Sequence, residues 1–278
     1  MKQALNRLCA WLEKNYGFSA LCRIHADLSP GLPNIFLKGR DAQGRVLFIK
    51  SGTTPGLYYN EYKWSEHFYR LAPDRVAQPL YYRDAKGIRF FACEYLEGQT
   101  LDKYMGESSP SPGDKQNLLE DLWEIFLAFQ ASDMVHRDIR PQNLLVCQGR
   151  LMVVDFQLAV SYSQYEEPDC FRRARWLLAD VGENFAYGCL HWDDTWSLLQ
   201  VANYIGREEE YAARFDEMTA AMTAAVGRRS IRYGYRHKHW WKRLFWMSKL
   251  LSLVHPVPSS RRTFRCRKIA ARHVLKRL

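Results

Sequence analysis

The sequence lacks the features of several simple protein classes. Its seven cysteines among 278 residues are odd in number and form no C-x-x-C pair. That argues against a disulfide scaffold and a structural zinc site, and for a reducing compartment. No apolar run approaches the roughly 20 residues of a membrane span, since the best candidate, 244–254, is short and contains Lys249. Residues 1–15 are interrupted by charges, unlike a secretory signal. We therefore expect a cytosolic protein.

Acidic residues are missing from the C-terminal segment. From residue 227 to residue 278 there are 16 Lys or Arg and no Asp or Glu. The whole chain has 40 basic and 30 acidic residues, a net charge of +10, so residues 1–226 carry 24 basic and 30 acidic groups, a net of −6. The sequence thus divides into an acidic body and a strongly basic extension.

The composition of the body indicates a folded protein with a sizeable core. The chain is 47% apolar and 25% charged, which excludes disordered, fibrous and small disulfide-rich classes. A chain of this length suffices for one large or two modest lobes. No internal repeat or low-complexity segment interrupts it.

The first hundred residues are rich in short β-type runs. An amphipathic pattern predicts a helix over 4–16. Runs of β-branched and aromatic residues, separated by Gly, Pro and Asp, then predict strands, and one helical pattern interrupts them. The strands are expected at 34–38, 46–50, 79–83 and 88–96, and the helix at 59–71. This pattern favours a small, mostly antiparallel sheet with one inserted helix.

The second half of the chain is mainly helical. Apolar residues recur at helical spacing over 114–131. Two short apolar runs, 143–146 and 151–156, follow and are joined by a turn at 147–150. Further helices are expected at 171–181, 194–205 and 208–226.

The most informative segments are VHRDIRPQNLLV at 135–146 and VVDFQLA at 153–159. The first contains the pattern H-R-D-x-x-x-x-N, as His136, Arg137, Asp138 and Asn143. Here the chain resembles the protein-kinase-like superfamily over roughly residues 28–160. The resemblance implies an α+β, bilobal fold with a small antiparallel β N-lobe and a mainly helical C-lobe. It also implies ATP and Mg²⁺ as cofactors.

We expect three parts in such a chain. Residues 1–97 form the nucleotide-binding N-lobe, residues 98–226 form the C-lobe with the catalytic loop, and residues 227–278 form a basic, aromatic extension.

The residue types in the two motifs suit phosphoryl transfer. This reaction needs a carboxylate that orients an attacking hydroxyl and accepts its proton, and oxygen ligands that hold Mg²⁺ against the phosphates. Asp138 suits the first role. Asn143 and Asp155 suit the second, because Mg²⁺ takes few protein ligands and completes its shell with phosphate and water. His136 is expected to pack the loop rather than to react.

The resemblance extends to residues around the nucleotide. Arg140 stands where serine/threonine kinases usually carry a Lys that contacts the transferred phosphate. Lys50, at the end of VLFIK, matches the lysine that reaches the α- and β-phosphates. Either Glu61 or Glu66 is available to pair with Lys50, and we prefer Glu61.

The segment FACEYLEGQTL at 91–101 resembles the hinge of the family. Cys93 occupies the gatekeeper position. The backbone from Glu94 to Leu96 is expected to contact adenine, although an edge strand is the plain alternative.

Three features depart from the family pattern. The glycine-rich loop G-x-G-x-x-G is missing, and residues 28–39 offer Gly31 between two prolines instead. The D-F-G motif becomes Asp155-Phe156-Gln157, which keeps the metal ligand but loses the glycine. No A-P-E follows, so a platform for a peptide substrate is doubtful.

These departures make the chain look more like the bacterial kinases that phosphorylate heptose or Kdo in the lipopolysaccharide inner core. The preferred reading is a kinase acting on a sugar hydroxyl of lipopolysaccharide core or another phosphorylated glycolipid. The alternatives are a Ser/Thr/Tyr protein kinase and a non-catalytic binding module of kinase fold.

The extension at 227–278 interleaves cations with aromatic residues. That composition suits an anionic membrane surface, ordinary packing of a C-lobe helix, or nucleic acid. We favour the membrane surface and regard nucleic acid as the least favoured partner. The protein is then expected to be cytoplasmic and peripheral on the inner membrane.

Overall fold

The computed structural model describes residues 2–24, 34–85, 87–164 and 191–232. Its strands are β1 (Ser19–Arg23), β2 (Ile35–Arg40), β3 (Val46–Ser51), β4 (Pro79–Ala85), β5 (Ile88–Glu94), β6 (Gln99–Thr100), β7 (Met134–Val135), β8 (Leu144–Cys147), β9 (Arg150–Val153), β10 (Val160–Ser161), β11 (His191–Trp192) and β12 (Ile231–Arg232). Its helices are α1 (Lys2–Tyr16), α2 (Leu57–Leu71), α3 (Leu101–Glu107), α4 (Pro112–Ala131), α5 (Asp194–Ile205) and α6 (Ala212–Ala225).

The N-terminal half is built on a five-stranded antiparallel sheet in the order β1-β2-β3-β5-β4. The β2–β3 hairpin closes at the polar, glycine-containing segment 41–45. Asp41 Oδ1 accepts hydrogen bonds from the backbone N–H groups of Gln43 (3.0 Å) and Arg45 (2.9 Å). Gly44 takes a φ of 80°, which glycine adopts without steric cost. This hairpin fixes β3, and with it Lys50, in the middle of the sheet.

One face of the sheet is covered by α1. Its apolar stripe packs onto the strands and forms a cluster whose buried members are Leu8, Leu12, Phe18, Leu37, Leu47, Ile49, Phe90 and Ala92. Because apolar residues alternate along β2 and β3, one side of each strand enters this cluster. The predicted packing role of the first helix is therefore confirmed.

The helix α2 joins the sheet to the C-terminal half. Leu57 and Tyr58, in its first turn, pack in a cluster with Phe91 from β5. Trp64 and Phe68, in its later turns, belong to the core that α4 and α5 line. The helix therefore has one end against each half of the fold, and Glu61 lies between these two contacts.

The C-terminal half is organised around α4. Ser111 caps this helix with a reciprocal pair of hydrogen bonds to Asp114, and Pro112 occupies its first turn, a position where its missing N–H costs nothing. The β8–β9 hairpin packs on α4 and turns at Gln148 and Gly149, which have φ values of 51° and 76°. This hairpin separates the two motif segments and presents both at one end.

The fold class agrees with the α+β architecture expected of a kinase-like chain, with an antiparallel sheet first and helices later. The strands at 34–38, 46–50, 79–83 and 88–96 and the helices at 59–71, 114–131, 194–205 and 208–226 are present within a few residues. The strand β1 and the short helix α3 were not predicted. The helix expected at 171–181 and almost all of the 227–278 extension lie outside the described residues. The lobe boundaries remain predictions.

Within the described ranges, none of the helices has both the length and the apolar character needed to cross a bilayer.

Candidate active site

The first turn of α5 binds the start of the segment 135–143, which is the expected catalytic loop. Asp194, in the first turn of that helix, accepts hydrogen bonds from the backbone N–H of His136 at 2.5 Å and of Arg137 at 3.0 Å. Its neighbour Asp193 caps α5 through Trp196 N–H at 3.2 Å. Burial raises the pKa of Asp194 to about 7, against the lowering effect of the two N–H donors. The sequence alone did not indicate this role of Asp194, because two adjacent aspartates before an apolar helix are typical of a helix N-cap.

His136 has the packing role that was expected of it. The ring is fully buried and lies edge-on to Phe156, with ring centroids 4.8 Å apart. Its Nε2 is 3.2 Å from the carbonyl oxygen of Val154. Burial lowers the pKa of His136 to about 4, so the ring is neutral at physiological pH and joins the loop to the strand end that carries Asp155.

Asp138, Asn143 and Arg140 form one half of the site. Asn143 Nδ2 donates to Asp138 Oδ2 at 2.8 Å and to the Asp138 carbonyl at 2.9 Å. Arg140 Nε lies 3.3 Å from the other carboxylate oxygen. Asp138 and Asn143 are buried, whereas the Arg140 side chain is 44% exposed. The carboxylate is thus oriented by the buried amide of Asn143 on one side and by the partly exposed guanidinium of Arg140 on the other.

The environment of Asp138 makes it more basic than an ordinary aspartate. Burial raises its pKa to about 6, Arg140 and Asn143 lower it, and Asp155 raises it. A carboxylate in this range is better matched to proton acceptance at neutral pH than one that titrates near 4.

Lys50, Glu61 and Asp155 form the other half of the site. Lys50 Nζ lies 2.8 Å from Asp155 Oδ1 and 3.1 Å from Glu61 Oε2. Lys50 and Glu61 are both buried. Glu66, the other candidate partner of Lys50, instead pairs with Arg70 at 2.9 Å on the surface. The structure therefore brings Glu61, and not Glu66, to the lysine.

The three charges are strongly interdependent. Burial disfavours the charged form of Lys50, but the carboxylates of Asp155 and Glu61 outweigh it and raise the lysine pKa. Burial also raises the pKa of Glu61, against the attraction of Lys50. The pKa of Asp155 is lowered despite burial, because Lys50 lies beside it. At neutral pH the lysine is charged and Asp155 is ionised.

Asp155 has an unusual backbone. Its φ of 68° and ψ of 58° lie in the left-handed region, which costs a non-glycine residue of order 1 kcal/mol and concentrates at functional sites. The turn directs Asp155 Oδ1 to Lys50 and leaves Phe156 in the core. Gln157, in the place of the family's glycine, lies with Nε2 3.4 Å from Asp155 Oδ2.

The expected hinge segment, 91–101, begins in the last residues of β5, which pair with β3 and β4, and leads into the C-terminal half of the fold. Cys93 is buried, and burial raises the pKa of its thiol. The N–H of Glu94 donates to the Gln78 carbonyl at 2.9 Å, and the N–H of Tyr95 donates to the Val46 carbonyl at 2.9 Å. Those two donors are therefore occupied. Contact of adenine with the remaining backbone groups from Glu94 to Leu96 stays a prediction.

Gly98 brings the end of the hinge against β8. A Cβ atom at this position would lie 2.4 Å from the carbonyl oxygen of Val146 and 2.6 Å from Cys147 Sγ, closer than atoms can approach. Only glycine lets the two backbones meet here, and the contact fixes the hinge relative to the hairpin between the two motifs.

The donor set beside Asp155 fits a magnesium ion. Mg²⁺ prefers oxygen ligands and retains several waters. The Asp155 side chain is 26% exposed, and Asn143 uses its NH₂ group on Asp138, so its amide oxygen remains as a ligand. Gln157 Oε1 is buried without a hydrogen-bond partner in the described part of the chain. Those same ranges contain no cluster of three or more His, Cys, Asp or Glu arranged for a metal.

No protein-family model matches the chain. Over 78 residues it is 33% identical to the serine/threonine-protein kinase PrkC of Bacillus subtilis, a match that covers 27% of this chain and 12% of that protein. Over 80 residues it is 31% identical to "Probable serine/threonine-protein kinase PknB" of Lactococcus lactis, again 27% of this chain and 12% of that protein.

The chain therefore spans about an eighth of the length of these curated relatives. These partial matches are to serine/threonine-protein kinases and support a general kinase-like character for the matched part of the chain.

Proposed function

We propose that this protein is an ATP- and Mg²⁺-dependent kinase that phosphorylates a sugar hydroxyl of a lipopolysaccharide core or a related phosphorylated glycolipid. The observation that carries the kinase reading is Lys50, which bridges Glu61 and Asp155 beside the Asp138–Asn143 pair. This is an arrangement of one cation, one metal-binding carboxylate and one proton acceptor, as phosphoryl transfer requires.

Each residue then has one task. Glu61 holds Lys50 extended so that its ammonium group can contact the α- and β-phosphates. Asp155 and Asn143 would hold Mg²⁺, which when bound offsets the charge of the phosphates. Arg140, half exposed at the mouth of the site, steadies the transferred phosphoryl group, to which a guanidinium can donate two parallel hydrogen bonds.

Asp138 acts on the acceptor. Its carboxylate accepts the proton of the attacking hydroxyl while the hydroxyl oxygen forms a bond to the γ-phosphorus and the bond to the leaving ADP oxygen breaks. The raised pKa of Asp138 favours this acceptance. Asn143 keeps the carboxylate oriented throughout, since its amide donates both to the carboxylate and to the Asp138 carbonyl.

The choice of acceptor rests on the sequence. The missing A-P-E and the D-F-Q motif argue against a peptide platform. The basic segment 227–278 would hold the protein against an anionic membrane, where each engaged cation contributes on the order of 1 kcal/mol. A phosphorylated glycolipid acceptor at the cytoplasmic face of the inner membrane fits that charge.

A serine/threonine protein kinase is the second candidate. The matches to the kinases of Bacillus subtilis and Lactococcus lactis favour it about as well. A non-catalytic module remains the third alternative, because the glycine-rich loop is missing.

Acceptor screening separates these functions. Purified protein with Mg²⁺ and labelled ATP is offered core oligosaccharide, lipid-linked core and generic protein substrates, with Asp138→Asn as the inactive control. We expect label on the saccharide. Label only on protein would establish the serine/threonine protein kinase. If the protein neither bound nucleotide nor transferred phosphate to any acceptor, the non-catalytic module would be the remaining function.

The membrane contact has its own test. We expect the protein to sediment with vesicles containing anionic lipid at physiological salt. A variant that ends at residue 232 should lose that binding while keeping activity on soluble core oligosaccharide. Equal recovery of both forms in the supernatant would refute membrane attachment through the extension.

A further inference from the structure

Three successive carbonyl groups after Phe156 are each bound by a buried side chain from another element. The carbonyls of Gln157 and Ala159 accept hydrogen bonds from Asn60 Nδ2 at 2.8 and 2.9 Å. The carbonyl between them, on Leu158, accepts one from Arg137 Nε at 2.5 Å. We call these contacts the carbonyl clamp. It joins helix α2 and the catalytic loop to the segment that begins with Asp155.

Asn60 is fully engaged in this clamp. Its side chain is buried, both bonds to backbone oxygen use its NH₂ group, and its Oδ1 accepts from Trp64 Nε1 at 3.2 Å. A planar amide can donate two N–H groups and accept at the same time. A carboxylate of the same shape could only accept, so it would face two carbonyl oxygens across the same distances.

The position of Asn60 relates the clamp to the site. Asn60 directly precedes Glu61 on α2, and adjacent helical residues project about 100° apart. Glu61 therefore points to Lys50 on β3, while Asn60 points to the backbone that follows Asp155. Rotation or outward movement of α2 would break both contacts together.

We propose that Asn60 is a positioning residue: it couples the placement of Glu61 to the placement of Asp155, so that Lys50 meets both carboxylates in one arrangement. The proposal deepens the kinase function above and rests on it for its kinetic consequences. Asn60 acts through Glu61 and Asp155, because both ends of its amide group are engaged by protein atoms.

The test uses the full-length protein with two substitutions at this position and one elsewhere. Asn60→Asp keeps the shape and removes both donors. Asn60→Ser is shorter and loses the bridge without adding a charge, so it serves if the aspartate variant fails to fold. The matched control is Asn203→Asp, because Asn203 also donates Nδ2 to a backbone carbonyl, Leu199 at 2.7 Å, but on the exposed side of α5.

Hydrogen exchange gives the structural readout. We expect the amides of 57–71 and of 156–161 to exchange faster together in the Asn60 variants, by about tenfold, as loss of a buried hydrogen bond allows. The β8–β9 amides should keep their wild-type rates, as should every segment in Asn203→Asp outside α5. Uniformly faster exchange throughout the chain, or no change at 57–71, would overturn the proposal.

Nucleotide binding gives the functional readout. We expect the dissociation constant of Mg·ADP to rise about tenfold in Asn60→Ser. In a Glu61→Gln background the same substitution should add much less, because both changes act on one contact to Lys50. Fully additive effects would show that Asn60 does not act through Glu61, and would contradict the proposal.

The two failures are distinguishable. If wild-type protein binds no nucleotide and transfers no phosphate, the kinase function fails. The exchange experiment still decides whether Asn60 couples α2 to the segment after Asp155.

Discussion

The carboxylate of Asp194 holds the backbone of Arg137, 57 residues earlier in the chain, with a 3.0 Å hydrogen bond, and it also binds the N–H of His136. These bonds fix the start of the loop that carries Asp138. Since an unsatisfied buried donor costs about 1–3 kcal/mol, the loop depends on a residue of a distant helix.

Asp194→Asn should therefore harm turnover more than folding. The amide keeps one acceptor oxygen and presents NH₂ to the other backbone donor, so the loop shifts although the helix still forms. We expect kcat to fall about 100-fold or more, given the sensitivity of transfer to small displacements, with a loss of stability of about 2 kcal/mol.

Asp193→Asn is the comparison for that variant. Asp193 instead caps α5 through the Trp196 N–H and accepts a hydrogen bond from the Gly227 N–H at 2.6 Å. Its substitution should lower the unfolding midpoint in denaturant and leave kcat within a few-fold of wild type. If kcat fell equally in the two variants, the hydrogen bonds from Asp194 to the loop would have no specific role in turnover.

The local parts of the fold follow from local patterns. The alternating strands, the Asp41–Gly44 turn and the helix over 112–131 have signals within a few residues of each other. The catalytic loop is predictable for the same reason, because Asp138 and Asn143 occupy one continuous motif. The strand β1 has no such signal, since SALCR is short and its partner β2 begins only at Ile35.

The long-range contacts of the site could not be predicted. Nothing in the sequence distinguishes the buried Asp194 from a helix cap, or Asn60 from a solvated amide. The preference for Glu61 over Glu66 rested only on the resemblance of the residues around Glu61 to related bacterial kinases. In the structure it follows from geometry, because the phase of α2 points Glu61 inward to Lys50 and Glu66 outward to Arg70.

The ion pair between Lys50 and Glu61 gives a second prediction, for which Glu66 serves as a control. Lys50→Met should lower kcat/KM by about 10²–10³, because it removes a charged contact to the phosphates. Glu61→Gln should cause a smaller loss, since Asp155 still attracts the lysine. Glu66→Gln should behave as wild type, because exposed pairs such as Glu66–Arg70 contribute little.

Steady-state kinetics with Mg·ATP as the varied substrate measure this order. If Glu66→Gln lowered kcat/KM as much as Glu61→Gln, the assignment of Glu61 as the functional partner of Lys50 would be wrong.

A buried ion network away from the site gives a stability prediction. Arg75 is almost fully buried, and its Nη2 lies 2.6 Å from Asp121 Oδ1 and 2.5 Å from Glu124 Oε2. Asp121 also accepts from the Leu151 N–H at 2.7 Å. This network ties the turn after α2 to α4 and to β9.

Arg75→Met should cost about 3 kcal/mol of unfolding free energy, the low end for a broken buried pair, because Asp121 loses its closest cation but keeps Arg150, whose Nε lies 3.1 Å from Oδ1. Chemical denaturation measures this loss. Arg207→Met, which breaks an exposed pair with Asp216, is the control and should leave the midpoint unchanged. If both variants unfolded at the wild-type midpoint, the buried network would have no net role in stability.

The pH dependence of the reaction should report Asp138. Burial raises its pKa to about 6, and the proton acceptor must be ionised, so kcat/KM should fall as the pH drops below about 6. His136 does not produce this decline, because burial lowers its pKa to about 4. Burial also raises the pKa values of Glu61 and Asp194. The variants Glu61→Gln and Asp194→Asn test these two groups: each should be slower but should keep the decline of kcat/KM at acidic pH, the acidic limb of the profile.

Arg140 affects the pH at which kcat/KM declines on the acidic side. Its guanidinium is 3.3 Å from Asp138 and lowers the pKa of the carboxyl. Arg140→Met removes that attraction, so the pKa of Asp138 should rise and the acidic limb should move to higher pH, in addition to any loss of rate. Profiles of kcat/KM between about pH 5 and about pH 9 measure both effects. A limb that stayed in place, or that vanished in Glu61→Gln, would assign the titration to a group other than Asp138.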